Sequence, residues 1–126
     1  MNAGTPQSGA LADGRGPHEP AGEEIDARAA VRECIEAGRS GLLLDAARLP
    51  PAFFDLSTRL AGEVTHQTGV YHVPIAIFGV DVEGREVAGR PIASRSLWSW
   101  IHESRGSSTL RFFARREEAL EWLSAP

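Results

Sequence analysis

Three consecutive leucines, Leu42-Leu43-Leu44, constrain this chain more than any other feature. Successive side chains of a strand point to opposite faces, so an unbroken apolar run needs cover above and below. A short strand in a parallel sheet with helices on both sides meets that need. The run opens the stretch Gly41 to Gly62, GLLLDAARLPPAFFDLSTRLAG. Asp45 closes the strand, and Pro50 and Pro51 suit the first turn of a helix, where a missing amide hydrogen costs nothing. At 100° per residue, Phe53, Leu56, Leu60 and Val64 fall in one stripe, with Asp55 and Arg59 opposite them as an i, i+4 pair. Ser57 projects from within the stripe, next to the small residues Ala61 and Gly62.

The remaining segments repeat the alternation of helix and strand. Ala27, Ala30, Val31, Cys34 and Ala37 recur at helical spacing and predict a helix over about 23–37, stopped at Gly38, with Cys34 on its apolar face as a small buried hydrophobe. Tyr71 to Val80 reads as a second strand buried on both faces and central in the sheet. Pro74 lacks a ladder donor, so the well-paired part is Ile75 to Phe78. Residues 81–93 permit a small hairpin about Glu83-Gly84, but three glycine or proline breaks favour a loop. Ser94 or Ser96 caps a third helix to about Glu103, Thr109 to Ala114 is a third strand, and Arg115 to Ser124 is a closing helix. Trp98, Trp100 and Trp122 read as core or helix-edge residues.

This order predicts an α/β fold: a small, mainly parallel sheet of three strands, with room for a fourth or fifth, flanked by about four helices. Residues 1–21, rich in glycine and proline with almost nothing apolar, read as a disordered tail, and residues 22–126 as a single domain. Three strands leave at least one sheet edge for a partner chain, a loop or the tail to cover.

Composition narrows the function classes. The chain has 126 residues, 42% of them hydrophobic, and one cysteine, so no internal disulfide forms. No apolar run reaches the length of a membrane span, and the first twenty residues lack the pattern of a signal peptide, which points to a cytoplasmic protein with no membrane partner. All 13 basic residues are arginine, yet they are scattered and the net charge is −4, so the footprint of a nucleic-acid binder is missing.

In open α/β sheets ligands bind beyond the carboxyl ends of the strands, where this chain carries Asp45 and Asp81. Two acids at such a rim suit a magnesium or phosphate site; their plainer role is to terminate strands. His18, His66, His72 and His102 lack metal-ligand spacing, so no metal ligand and no cofactor is assigned. Ser57 with His66 or His102 as base lacks the Gly-x-Ser-x-Gly elbow of a nucleophile, and no glycine loop cradles phosphate, so no catalytic residue is assigned. Asp55, Ser57 and Thr58 remain as regulatory or binding candidates, and Phe54 and Trp98 as pocket candidates. Ser57 has two readings: a half-buried hydroxyl bonding back to the Phe53 carbonyl, or a group near a helix start where phosphate gains from the helix dipole.

Four blocks carry a resemblance: FFDLSTRLAGE (Phe53 to Glu63), Tyr71 with VPIAIFG (Val73 to Gly79), SRSLWSWIHES (Ser94 to Ser104), and RFF followed by EEALEWL. Together they resemble, over about residues 40–123, the bacterial domain-of-unknown-function family numbered four-one-eight-zero. The resemblance implies an architecture and no agreed activity. The first block also resembles a distant sulfate-transporter and anti-sigma-factor-antagonist (STAS) domain, which implies that Asp55 and Ser57 fill the positions of an aspartate and a phosphorylatable serine. On that analogy the chain is a regulatory module that docks a protein partner or a second copy, switched at Ser57. The alternative is a small-molecule-binding protein or enzyme accessory to a biosynthetic pathway, its pocket formed by Ser57, the 81–93 loop and Trp98. The chain departs from the family in three places: the extra strand pair ahead of the first helix is replaced by the tail, Arg59 stands where the family has a small residue, and the 81–93 loop is long.

Overall fold

A computed structural model describes residues 16–125. Helix α1 (Ala27–Glu36) starts where the Asp26 carboxylate accepts the Ala29 amide, and Gly38, at φ 65°, turns the chain away from it. Strand β1 (Leu42–Asp45) follows. A helical turn α2 (Pro51–Phe54) and helix α3 (Leu60–Val70) lead to strand β2 (Ile75–Phe78). Three two-residue strands, β3 (Val80–Asp81), β4 (Glu86–Val87) and β5 (Arg90–Pro91), precede helix α4 (Arg95–Glu103), strand β6 (Leu110–Phe113) and helix α5 (Arg116–Ser124).

The main sheet is parallel with order β1-β2-β6, so β2 is central. Leu42 lies opposite Ile75, and Ile75 opposite Leu110. The leucine triplet divides as the strand geometry requires. Leu42 and Leu44 join Ile75, Ile77, Leu110 and Phe112 in the larger core, packed against Val31 and Cys34 of α1, Val64 of α3 and Ile101 of α4. Leu43 and Ala76 face the opposite way, onto Ala119 and Leu123 of α5. The Cys34 thiol donates to the Gly41 carbonyl at 3.3 Å, and burial pushes its pKa up, so it is a packing group and not a nucleophile.

Two expectations are corrected. Residues 81–93 form an antiparallel meander, β3-β4-β5, where a loop was favoured. Val80 and Val87 are buried opposite each other, the Asp81 carboxylate accepts the Gly84 amide at 2.9 Å, and Ala88 and Gly89 both take positive φ, the signature of a two-residue hairpin turn. The helix expected to run through Phe53 and Val64 is broken twice: Asp55 is extended and Arg59 is left-handed at φ 64°.

Residues 1–15 of the stretch read as a tail lie outside the described residues. Gly16 to Pro20 runs along the outer edge of β1. His18 makes a parallel bridge to Leu42, its amide donating to Gly41 and its carbonyl accepting from Leu43. Arg39 donates to the carbonyls of Gly16 and Pro17, Arg48 to that of Pro20, and Arg116 forms a two-pronged pair with Glu19. The edge that needed cover is thus closed by the chain's own residues.

Candidate functional site

The break in the expected helix creates the most distinctive local structure. Asp55 Oδ1 accepts both the Ser57 amide, at 3.1 Å, and the Ser57 hydroxyl, at 2.6 Å. The Thr58 hydroxyl donates to the Ala52 and Asp55 carbonyls and accepts the Leu60 amide. Short polar side chains offer the backbone an alternative to helical bonding, and three in four residues are enough to replace the helix with a 3-10 turn over Leu56–Thr58. Ser57 is therefore exposed, and it bonds to Asp55 and not to Phe53. The face-counting expectation fails because it assumed an unbroken helix. The Asp55–Arg59 pair fails with it, since the left-handed residue turns the Arg59 side chain away from the helical i, i+4 position.

The Ser57 hydroxyl first, and the Ser57 amide second, hold the Asp55 carboxyl below the usual carboxylate range. The sign follows directly: the bond favours the ionised form, so it supports the turn above the ordinary carboxylate pKa and is lost as pH falls through the lowered value. Replacing Ser57 by alanine is expected to move the Asp55 pKa upward toward the usual range, since the larger of the two contributions is lost while the amide bond remains. A carboxyl-carbon NMR titration of the two proteins measures this, and an unchanged midpoint would contradict the bond.

Arg59 holds a backbone conformation that favours glycine. A left-handed φ costs a side-chain-bearing residue about 1 kcal/mol, and glycine adopts it freely. Arg59→Gly is expected to raise the unfolding free energy by up to about 1 kcal/mol, less glycine's added entropy in the unfolded chain. A lower denaturation midpoint would instead mean that the arginine contributes a contact of its own.

Beyond the carboxyl ends of β1 and β2 lies a cleft of about 610 Å³. The segment after β1 (Ala46 to Leu49), Phe54 and Asp55 of the broken helix, and the meander arm from Val87 to Ala93 form its walls. This is the position at which open α/β sheets hold ligands, and the size is that of a small-molecule site. Arg48 and Arg90 supply positive charge, and Glu23, Glu24 and Asp55 negative charge.

The sequence candidates are only partly brought together. Phe54 and Asp55 line the cleft, while Ser57 and Thr58 lie on the adjoining turn outside its walls. Asp45 does not reach it: its carboxylate accepts the Ala47 amide at 2.9 Å and caps the turn after β1. Asp81 caps its own turn and borders a separate groove with Trp122. The two acids do not converge, and among the described residues no three of His, Cys, Asp and Glu come together as metal ligands. Trp98 lines a different cavity, beside Arg85 and Arg95. The single pocket expected among Ser57, the 81–93 segment and Trp98 is thus two cavities, neither including Ser57. The meander walls were missed; the Val87-Ala88-Gly89-Arg90 run carries the turn signal that would have revealed them.

The geometry defines a small open-sheet α/β domain with a strand-end cleft and an exposed Asp-x-Ser-Thr turn. The family model described as Domain of unknown function (DUF4180) matches residues 15–123, and the chain belongs to that family. The match takes in the strap along β1, which the four resembling blocks did not reach. No curated protein and no solved structure is significantly similar to the chain.

Proposed function

We propose that this chain is a cytoplasmic regulatory or protein-interaction module of STAS-like kind, with the Asp55 to Arg59 turn as recognition surface and Ser57 as its switch. The observation that carries the reading is the exposed Ser57 hydroxyl held against Asp55 at 2.6 Å, immediately before α3. A phosphoryl group on Ser57 breaks that bond, is repelled by the Asp55 carboxylate, and is drawn to the amides of the first turn of α3 and to Arg59. Modification would therefore reshape the turn, not merely decorate it.

The test compares wild-type protein with Ser57→Asp and Ser57→Ala as baits in a lysate of the source bacterium, with light scattering of each protein alone. The expected result is a partner or self-association that one variant retains and the other loses. A monomer that retains nothing and is indifferent to Ser57→Asp would end the proposal. Among the described residues no helix is long and apolar enough to cross a membrane.

The strand-end cleft favours a second reading, a small-molecule-binding protein that serves a biosynthetic pathway. Phe54 supplies an aromatic wall and Asp55 a polar anchor. A metabolite panel screened by thermal shift should then yield a ligand whose stabilisation disappears in Phe54→Ala.

A further inference from the structure

A second cavity, of about 440 Å³, lies between the meander and the start of α4. Arg85, Arg95, Ser94, Ser99, Trp98 and Ile92 line it, and no carboxylate does. Arg85, at φ 55° in the turn between β3 and β4, places its guanidinium carbon 4.4 Å from the Trp98 ring centre. His102 stacks on the same indole at 4.8 Å with a 14° tilt. Both groups therefore lie against the same indole.

The local electrostatics are one-sided. Arg95 is the first residue of α4, at the positive end of the helix dipole, and the first turn contains no acid. Neither Arg85 nor Arg95 forms an ion pair among the described residues. The Trp98 indole nitrogen, which can only donate, is buried and has no acceptor among the described residues. In a chain of net charge −4, two guanidinium groups without an ion-pair partner and two hydroxyls around one cavity, at a helix start with no acid, mark a place suited to an acceptor-rich anion.

We infer that this cavity binds the phosphate of a small phosphate monoester. The two guanidinium groups take the phosphate oxygens through charge-assisted bonds, the Ser94 and Ser99 hydroxyls are further polar contacts, and the Trp98 ring reports the event as Arg85 swings from it onto the anion. Ile92 and Ala93 form the apolar wall for the organic group. The volume exceeds what phosphate alone needs and falls within the range of small-molecule sites. The inference is independent of the Asp55 turn and of the strand-end cleft.

The test uses the nitrogen-15-labelled full chain, with the three indole NMR signals assigned by Trp98→Phe and Trp122→Phe. Inorganic phosphate, glycerol 3-phosphate and acetate are titrated separately, each against sodium chloride at equal ionic strength. The expected result is a saturable shift of the Trp98 signal with both phosphates, tighter with the ester, while the Trp122 signal stays in place. Arg95→Gln, at an exposed position outside the core, should weaken binding about tenfold, the worth of one charge-assisted contact. A response no larger than that to chloride, equal affinity for acetate, or unchanged affinity in Arg95→Gln would each overturn the assignment. The chloride and acetate comparisons use the unaltered protein, so the outcome does not depend on whether a variant folds.

Discussion

Replacing Phe53 by alanine is expected to lower the unfolding free energy by about 3–5 kcal/mol, the range for truncating a fully buried phenylalanine. The side chain has no solvent exposure. It meets Phe54 edge-on at 5.2 Å and lies 6.3 Å from Trp100, which itself packs edge-on against Phe112 of the sheet at 5.1 Å. Phe53 thus ties the four-residue turn α2, too short to be stable alone, to the core beneath it. A domain of this size holds about 5–15 kcal/mol in all, so the variant sits near the limit of folding. Guanidinium denaturation monitored by far-UV circular dichroism gives the value, with the half-buried neighbour Phe54→Ala as control. A loss for Phe53→Ala no greater than the control's would show that the turn is not anchored through this ring.

Gly41→Val is expected to cost about 1–3 kcal/mol or more, through overpacking. A Cβ at Gly41 would lie 2.8 Å from Leu123 Cδ2 and 3.1 Å from the Pro74 carbonyl oxygen. The leucine can swing away; the carbonyl cannot, because it accepts the Leu42 amide at 2.9 Å and so belongs to the sheet. The backbone of Gly41 must move instead, and its own carbonyl serves both the His18 amide and the Cys34 thiol. The Cβ alone is enough to disturb the strap, α1 and the sheet together, and the valine methyls add to it. Gly106→Ala, where a Cβ meets nothing within 4 Å, is the matched control. Equal midpoints for the two variants would refute the steric account.

What the sequence made legible was the part governed by burial. Leu42 to Leu44, Ile75 to Phe78 and the apolar face of α1 each follow one periodicity, and hydrophobic transfer enforces it, so strand positions and the central place of β2 could be read directly. Ser94 was legible as a cap for a similar reason, since one side chain and one amide three residues on decide it. The candidate site was less accessible. Whether Phe53 to Val64 forms one helix or two depends on the Asp55, Ser57 and Thr58 side chains outcompeting backbone hydrogen bonds, a contest of small energies that apolar spacing does not record. The cleft was hidden because half its wall is the meander, and the meander rests on Val80 meeting Val87 across a turn of polar residues. The strap was hidden more deeply. Gly16 to Pro20 has almost no apolar content, and arginines 22 to 97 residues away along the chain hold it through its carbonyls and Glu19.

That strap also limits how copies of the domain can assemble. A sheet with two bare edges is a repeating unit: each copy added presents a new edge, and stacking has no natural end. With the β1 side occupied by the chain's own residues, β6 is, among the described residues, the outer strand still unpaired in the main sheet. Through the main sheet, edge-to-edge contact between copies can then close a pair but has no second free edge along which to propagate. Five residues, only the last of them buried, thereby limit how copies can pair through the main sheet.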